Sequence, residues 1–169
     1  NKNEHTLHIL PHWNWQGHEG DTVPVFVYTD YPEAELFING KSYGRQRKVT
    51  DAPIAKGKIY DPEVLKRYRL MWMDTKYEPG TVKVVAYNDR GEAVATREVH
   101  TAGEPYRIVL EADRQTIAAD GRDLAFITVK VVDRDGNLCP DAQHLISYKV
   151  DGEGFYRAGA NGNSVSLEL

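Results

Sequence analysis

The sequence predicts an all-β protein made of two tandem sandwich domains, and three observations carry that reading. Apolar residues recur with a two-residue beat in one short run after another. No window of about twelve residues keeps the 3.6-residue period of an amphipathic helix. Gly, Pro, Asn and Asp break the runs at short intervals, as turns require.

The first clear strand is Val23–Thr29. Next comes Ala34–Ile38, in which Ala34, Leu36 and Ile38 alternate with Glu35 and Phe37, so that one face turns inward. Asn39-Gly40 follows at once. This dipeptide suits the two positive φ angles of a type I′ turn, so Lys41–Arg45 is expected to return as the partner strand. Asp61-Pro62-Glu63 reads as a helix entry, with Asp61 as cap and Pro62 in the first turn, leading to one or two helical turns at most.

Tyr68, Leu70 and Trp72 then alternate with Arg69 and Met71. After Glu78-Pro79-Gly80, the run Thr81–Tyr87 puts Val82, Val84 and Ala86 on one side. A turn at Asn88–Gly91 leads to a last strand, Ala93–Val99. About seven strands in about 100 residues suit an immunoglobulin-like sandwich.

The tract Thr101–Pro105 is the expected boundary, which divides the chain into residues 1–102 and 103–169. Beyond it Ile108, Leu110 and Ala112 share one strand face, and Ala125, Ile127, Val129 and Val131 share another. Ile146, Tyr148 and Val150 mark a further strand. About five strands fit there, so the second immunoglobulin-like sandwich is expected to lack its final strand, because an open sheet edge is usually covered.

Composition narrows the function. The 169 residues are 41% apolar and 27% charged, as in ordinary soluble domains. The net charge is −4 with Lys and Arg scattered, which argues against a nucleic-acid partner. No apolar run reaches the roughly 18 residues of a membrane span. The single cysteine, Cys139, excludes an intrachain disulfide and stands at an expected strand edge rather than in the electropositive setting of a reactive thiol.

Several side-chain groups invite a chemical reading. His8, His12 and His18 lie close in sequence, yet Pro11 interrupts any helix that would align them on a metal. Asp133, Asp135 and Asn137 with Gly136 resemble the opening of a calcium loop but lack its later bidentate glutamate, so a turn is expected. No cofactor is expected. Trp13 and Trp15 could stack on sugar or pack against a neighbouring domain, and either role predicts unusual exposure. Tyr31, beside Pro32, is the other surface candidate. Tyr43, Trp72 and Tyr77 could extend an aromatic platform, although the alternation around Trp72 favours the core.

Leu7–Trp15 with Gly17 resembles the tract by which certain glycoside hydrolase family 2 β-galactosidases leave their catalytic barrel. The resemblance continues in Ala34–Ser42, Arg69–Trp72, Tyr77–Gly80, Thr101–Gly103, Ala118–Gly121 and Asp133–Asn137. It implies the fourth and fifth domains of such an enzyme, with residues 1–20 as the barrel-exit segment. It also implies a parent that hydrolyses terminal β-galactosides or related β-glycosides, periplasmic or secreted, with the barrel of the same chain as partner. The family's catalytic glutamates belong to that barrel, and no residue here matches their motifs. A (β/α)₈ barrel needs at least about 200 residues and alternating helices. Two other readings stand beside an accessory role: an independent carbohydrate-binding module using Trp13, Trp15 and Tyr31 on glycan, and an adhesin-like surface spacer.

Overall fold

The computed structural model describes residues 5–49 and 62–162. Among them are nine strands and one helix. The strands are β1 (Leu7–Leu10), β2 (Val25–Thr29), β3 (Glu33–Ile38), β4 (Lys41–Arg47), β5 (Arg69–Trp72), β6 (Thr81–Tyr87), β7 (Ala93–His100), β8 (Arg107–Ala112) and β9 (Ile127–Val132). The helix is α1 (Pro62–Tyr68). The protein is all-β, as the two-residue beat required.

Strands β1 to β7 form two antiparallel sheets, one in the order β1-β2-β5 and the other in the order β4-β3-β6-β7. Their inner faces meet in one core. Val25 and Val27 of β2, Leu70 and Trp72 of β5, Ala34, Leu36 and Ile38 of β3, and Val82 and Val84 of β6 are all buried there. Each Val or Leu so enclosed contributes about 1.5–3 kcal/mol relative to exposure. Alternation therefore placed the right side chains inward in both sheets.

The β3–β4 hairpin forms where Asn39-Gly40 predicts it. Asn39 has φ 48° and Gly40 φ 80°, the paired left-handed residues that let a two-residue loop match the twist of its strands. A bulge between Glu35 and Phe37 shifts the β3–β4 register.

Two local expectations are corrected and one strand is added. β2 begins at Val25, because Val23 lies in a loop where its amide donates to Thr75 O at 3.0 Å. Tyr68 is the last residue of α1 and is exposed, so the alternation starts only at Arg69. β1, four residues long with His8 and Leu10 outward, is an edge strand that the barrel-exit reading of residues 1–20 left unassigned. The expected cap, Asp61, lies outside the described residues.

β8 and β9 pair with each other, Ile108 opposite Val131, Leu110 opposite Val129 and Ala112 opposite Ile127, so one face of the ribbon is wholly apolar. Val132 also bridges Leu138. Among the described residues these are the only strands after residue 102, and Ile146–Val150 is not a strand. Its alternation finds no paired edge, and an extended segment without ladder hydrogen bonds is not a strand.

Candidate functional site

The tract from Pro11 to Trp15 leaves β1 and turns under the end of the first sandwich. Trp13 enters the interior completely: its relative exposure is 0%. Its indole Nε1 donates to Glu78 O at 2.9 Å, and its ring meets Tyr77 edge to face at 5.3 Å. Its carbonyl accepts from Thr101 Oγ1 at 2.6 Å. The expected exposure of Trp13 is thus corrected, because the loop Tyr77–Gly80 and the end of β7 close over it.

Trp15 is half-buried. Its Nε1 donates to His12 O at 3.0 Å, and its ring lies flat on the His12 imidazole at 4.7 Å, with 16° between the planes. One of its two stacking faces is therefore occupied. The Asn14 amide donates to His12 Nδ1 at 3.2 Å, which makes that nitrogen an acceptor and puts a neutral ring's proton on Nε2.

Tyr31 follows β2 at the other end of β1. It is half-buried and stacks on His5 at 4.9 Å, and His5 Nδ1 pairs with Asp30 Oδ2 at 2.7 Å. Leu7 pairs with Thr29 and Leu10 with Phe26, so Tyr31 and Trp15 flank opposite ends of the same strand. They do not form one platform.

The remaining aromatic candidates are also dispersed. Trp72 and Tyr77 are core residues; Trp72 Nε1 donates to Gly44 O at 3.2 Å. Tyr43 packs against the core edge with Lys41 over its ring.

The histidines do not converge. His8 projects outward from β1, His12 lies under Trp15, and His18 pairs with Asp21 at 2.9 Å. The Asp133–Asn137 segment is a closed turn whose carboxylate acceptors are filled by its own residues and by Gly103. Asp133 Oδ1 accepts from the Asp135 and Asn137 amides at 3.0 and 2.8 Å, and Oδ2 accepts from Gly103 N at 2.9 Å and Asn137 Nδ2 at 3.0 Å. These donors, the Gly103 amide first, hold the carboxyl down at about 2. Among the described residues no group of three or more His, Cys, Asp or Glu could hold a metal. Burial pushes the Cys139 thiol up, the direction of an inert cysteine.

An array of opposite charges lies on the outer face of the four-stranded sheet. Arg45 sits between Glu33 and Glu35 at 3.3 and 3.6 Å, and its guanidinium covers the Tyr87 ring at 3.6 Å. Arg47 also reaches Glu33, at 3.2 Å. Glu35 accepts from Ser42 Oγ at 2.6 Å and from Tyr87 OH at 3.1 Å. These donors, Ser42 first, hold Glu35 below the usual carboxylate range. Such a group is poorly suited to give up a proton at neutral pH, since a catalytic acid needs its pKa raised.

The sequence reading did not single out Asn14 or Thr101, the residues that tie this tract to the chain beyond β7. The signal was slight: short polar side chains beside a boundary, each able to replace a backbone partner.

Comparison with known proteins finds a different family match in each half of the chain. A family described as a domain of unknown function, DUF4982, matches residues 20–95, and the glycoside hydrolase family 2 C-terminal domain 5 matches residues 108–169. Beta-galactosidase BoGH2A of Bacteroides ovatus is 44% identical over 96% of this chain, which spans 17% of that protein's length. A putative beta-glucuronidase of Formosa agariphila is 27% identical over 94% of the chain and 14% of its own length.

Among solved structures, a beta-glycosidase from Bacteroides vulgatus superposes with a TM-score of 0.62 at 28% identity, covering 82% of this chain and 16% of that one. A glycosyl hydrolase family 2 member from Bacteroides cellulosilyticus gives a TM-score of 0.61 at 34% identity, covering 81% and 19%. The chain spans less than a fifth of each of these relatives. Its second half matches the glycoside hydrolase family 2 C-terminal domain 5, and most of its length is similar to family 2 enzymes.

Proposed function

We propose that this chain is a non-catalytic accessory region of a β-galactosidase-like glycosidase, divided near residue 102, which braces the catalytic barrel and supports domain or subunit packing. The observation that carries the reading is the 44% identity with a beta-galactosidase along 96% of this chain but only 17% of that protein. The parent's reaction, hydrolysis of terminal β-galactosides or related β-glycosides, rests on the same likeness.

Two features of the chain support the non-catalytic part. Its sandwich core is filled by apolar side chains from both sheets. Two neighbouring carboxylates, Glu33 and Glu35, are clamped by arginines on an outer sheet face. A glycosidase instead needs two carboxyls across a sugar site, one of them kept protonated.

The test is a pair of measurements. The isolated chain, given a chromogenic galactoside, is expected to show no turnover above buffer, and a saturable rate would overturn the reading. The full-length protein with residues 5–162 removed is expected to lose thermal stability of its remaining domains. An unchanged melting profile would remove the bracing role.

A further inference from the structure

Thr101, Ala102 and Gly103 carry the chain from β7 toward β8, and the backbone of each is held by a different part of the molecule. Thr101 N donates to Gly80 O at 2.8 Å; its hydroxyl accepts from Gly80 N at 3.0 Å and donates to Trp13 O at 2.6 Å. Ala102 gives both backbone groups to the Asn14 side chain: its N–H donates to Oδ1 at 3.0 Å, and its carbonyl accepts from Nδ2 at 3.3 Å. A carboxamide used this way stands in for a neighbouring strand. Gly103 N donates to Asp133 Oδ2 at 2.9 Å, and Gly103 O receives the Cys139 thiol at 3.6 Å.

Asp133 immediately follows β9, and the Tyr106 amide donates to Val132 O at 2.8 Å, so the far end of the linker is fastened to the ribbon it enters. Asn14 is fastened to the first sandwich through Trp13, whose ring is enclosed in the core. Short Gly-containing connections are normally where neighbouring units bend, because each residue there has two soft dihedrals. Here three consecutive residues have those dihedrals fixed by partners on both sides.

We propose that Thr101–Gly103 is a splice rather than a hinge, in which Asn14 and Asp133 act as positioning residues that set the orientation of the β8–β9 ribbon against the β1–β7 sandwich. Whatever follows β9 in the polypeptide is then carried in a fixed direction by the first sandwich. The proposal stands on these hydrogen bonds and does not depend on the accessory role or on the parent's reaction.

The experiment uses the full-length polypeptide that carries these domains, with spin labels on genetically encoded unnatural residues at the exposed positions Thr96 of β7 and Thr128 of β9. Pulsed dipolar spectroscopy of the parent should give one narrow distance distribution. Asn14→Ala and Asp133→Ala should each broaden it about twofold. A broad distribution in the parent would overturn the splice.

Because Asn14→Ala could also loosen the first sandwich, a second variant inserts two glycines between Ala102 and Gly103. It leaves both units' own residues intact and should broaden the distribution in the same way. Unchanged width in the insertion variant would show that the orientation is set elsewhere and would equally overturn the proposal.

Discussion

Trp13 and Tyr77 meet edge to face inside the first sandwich, ring centroids 5.3 Å apart and planes at 67°, both with almost no exposure. The contact joins the tract after β1 to the loop before β6, and the indole donates to Glu78 O at 2.9 Å in the same place. Replacing Trp13 by Ala should leave a cavity and cost about 3–5 kcal/mol. Trp13→Phe keeps most of the ring but strands the Glu78 carbonyl, and should cost about 1–3 kcal/mol. Urea unfolding followed by far-ultraviolet circular dichroism reads both; a change below about 0.5 kcal/mol for the alanine variant would mean that Trp13 is not enclosed.

Gly80 and Asn39 form a second obligatory pair. Gly80 has φ 139°, and a Cβ there would collide with the Asn39 carboxamide. That carboxamide is itself in use: Oδ1 accepts from Thr81 N at 2.8 Å and Nδ2 donates to Pro79 O at 3.1 Å. Gly80→Ala should therefore destabilise by more than about 1 kcal/mol, through backbone strain and displacement of Asn39. In the double variant with Asn39→Ala the two losses should fall short of their sum, since the collision disappears. Strict additivity in a thermal or urea cycle would contradict the contact.

Much of this fold is legible in the residues, and the failures have physical reasons. β3 and β6, and β2 from Val25 onward, are read correctly because each puts one side chain in two into a closed core, and Asn39-Gly40 because only positive φ closes a two-residue loop. Trp13 is misread as exposed because its burial comes from Glu78 and Thr101, far away in sequence, while its own neighbours have no period. Tyr68 is misread because the Tyr68-Leu70-Trp72 alternation runs unbroken across the change from helix to strand. Ile146, Tyr148 and Val150 show that alternation is necessary but insufficient, since a strand also needs an edge to pair with.

Asp133 should govern a small acid-sensitive step. Its carboxyl titrates at about 2 in the folded chain against an ordinary value of 3.8, chiefly because the Gly103 amide donates to the ionised form. A folded value below the unfolded one means that the carboxylate contributes stability above about pH 4. That contribution is lost as pH falls from about 4 toward 2. Asp133→Asn should flatten the pH dependence of the melting temperature in that window and lower the melting temperature at pH 7. A variant whose melting temperature falls with acid as steeply as the parent's would remove Asp133 as the source.

The two halves of the described chain should differ in protection from hydrogen exchange. Leu36 and Val84 sit on adjacent strands in the middle of the β1–β7 core with no exposed area, and their amides belong to a sheet flanked on both sides. Leu110 and Ile127 lie on the apolar face of a two-stranded ribbon, 65% and 58% exposed. A two-stranded pairing is at best marginally stable without a covering layer, and opening free energy follows buried contacts. In the 169-residue chain, peptides from β3 and β6 should exchange at least about a hundredfold more slowly than those from β8 and β9, read by mass spectrometry at neutral pH. Equal protection would mean that the ribbon's apolar face is covered in solution, and chemical crosslinking from Lys130, the lysine on β9, would then identify the covering segment.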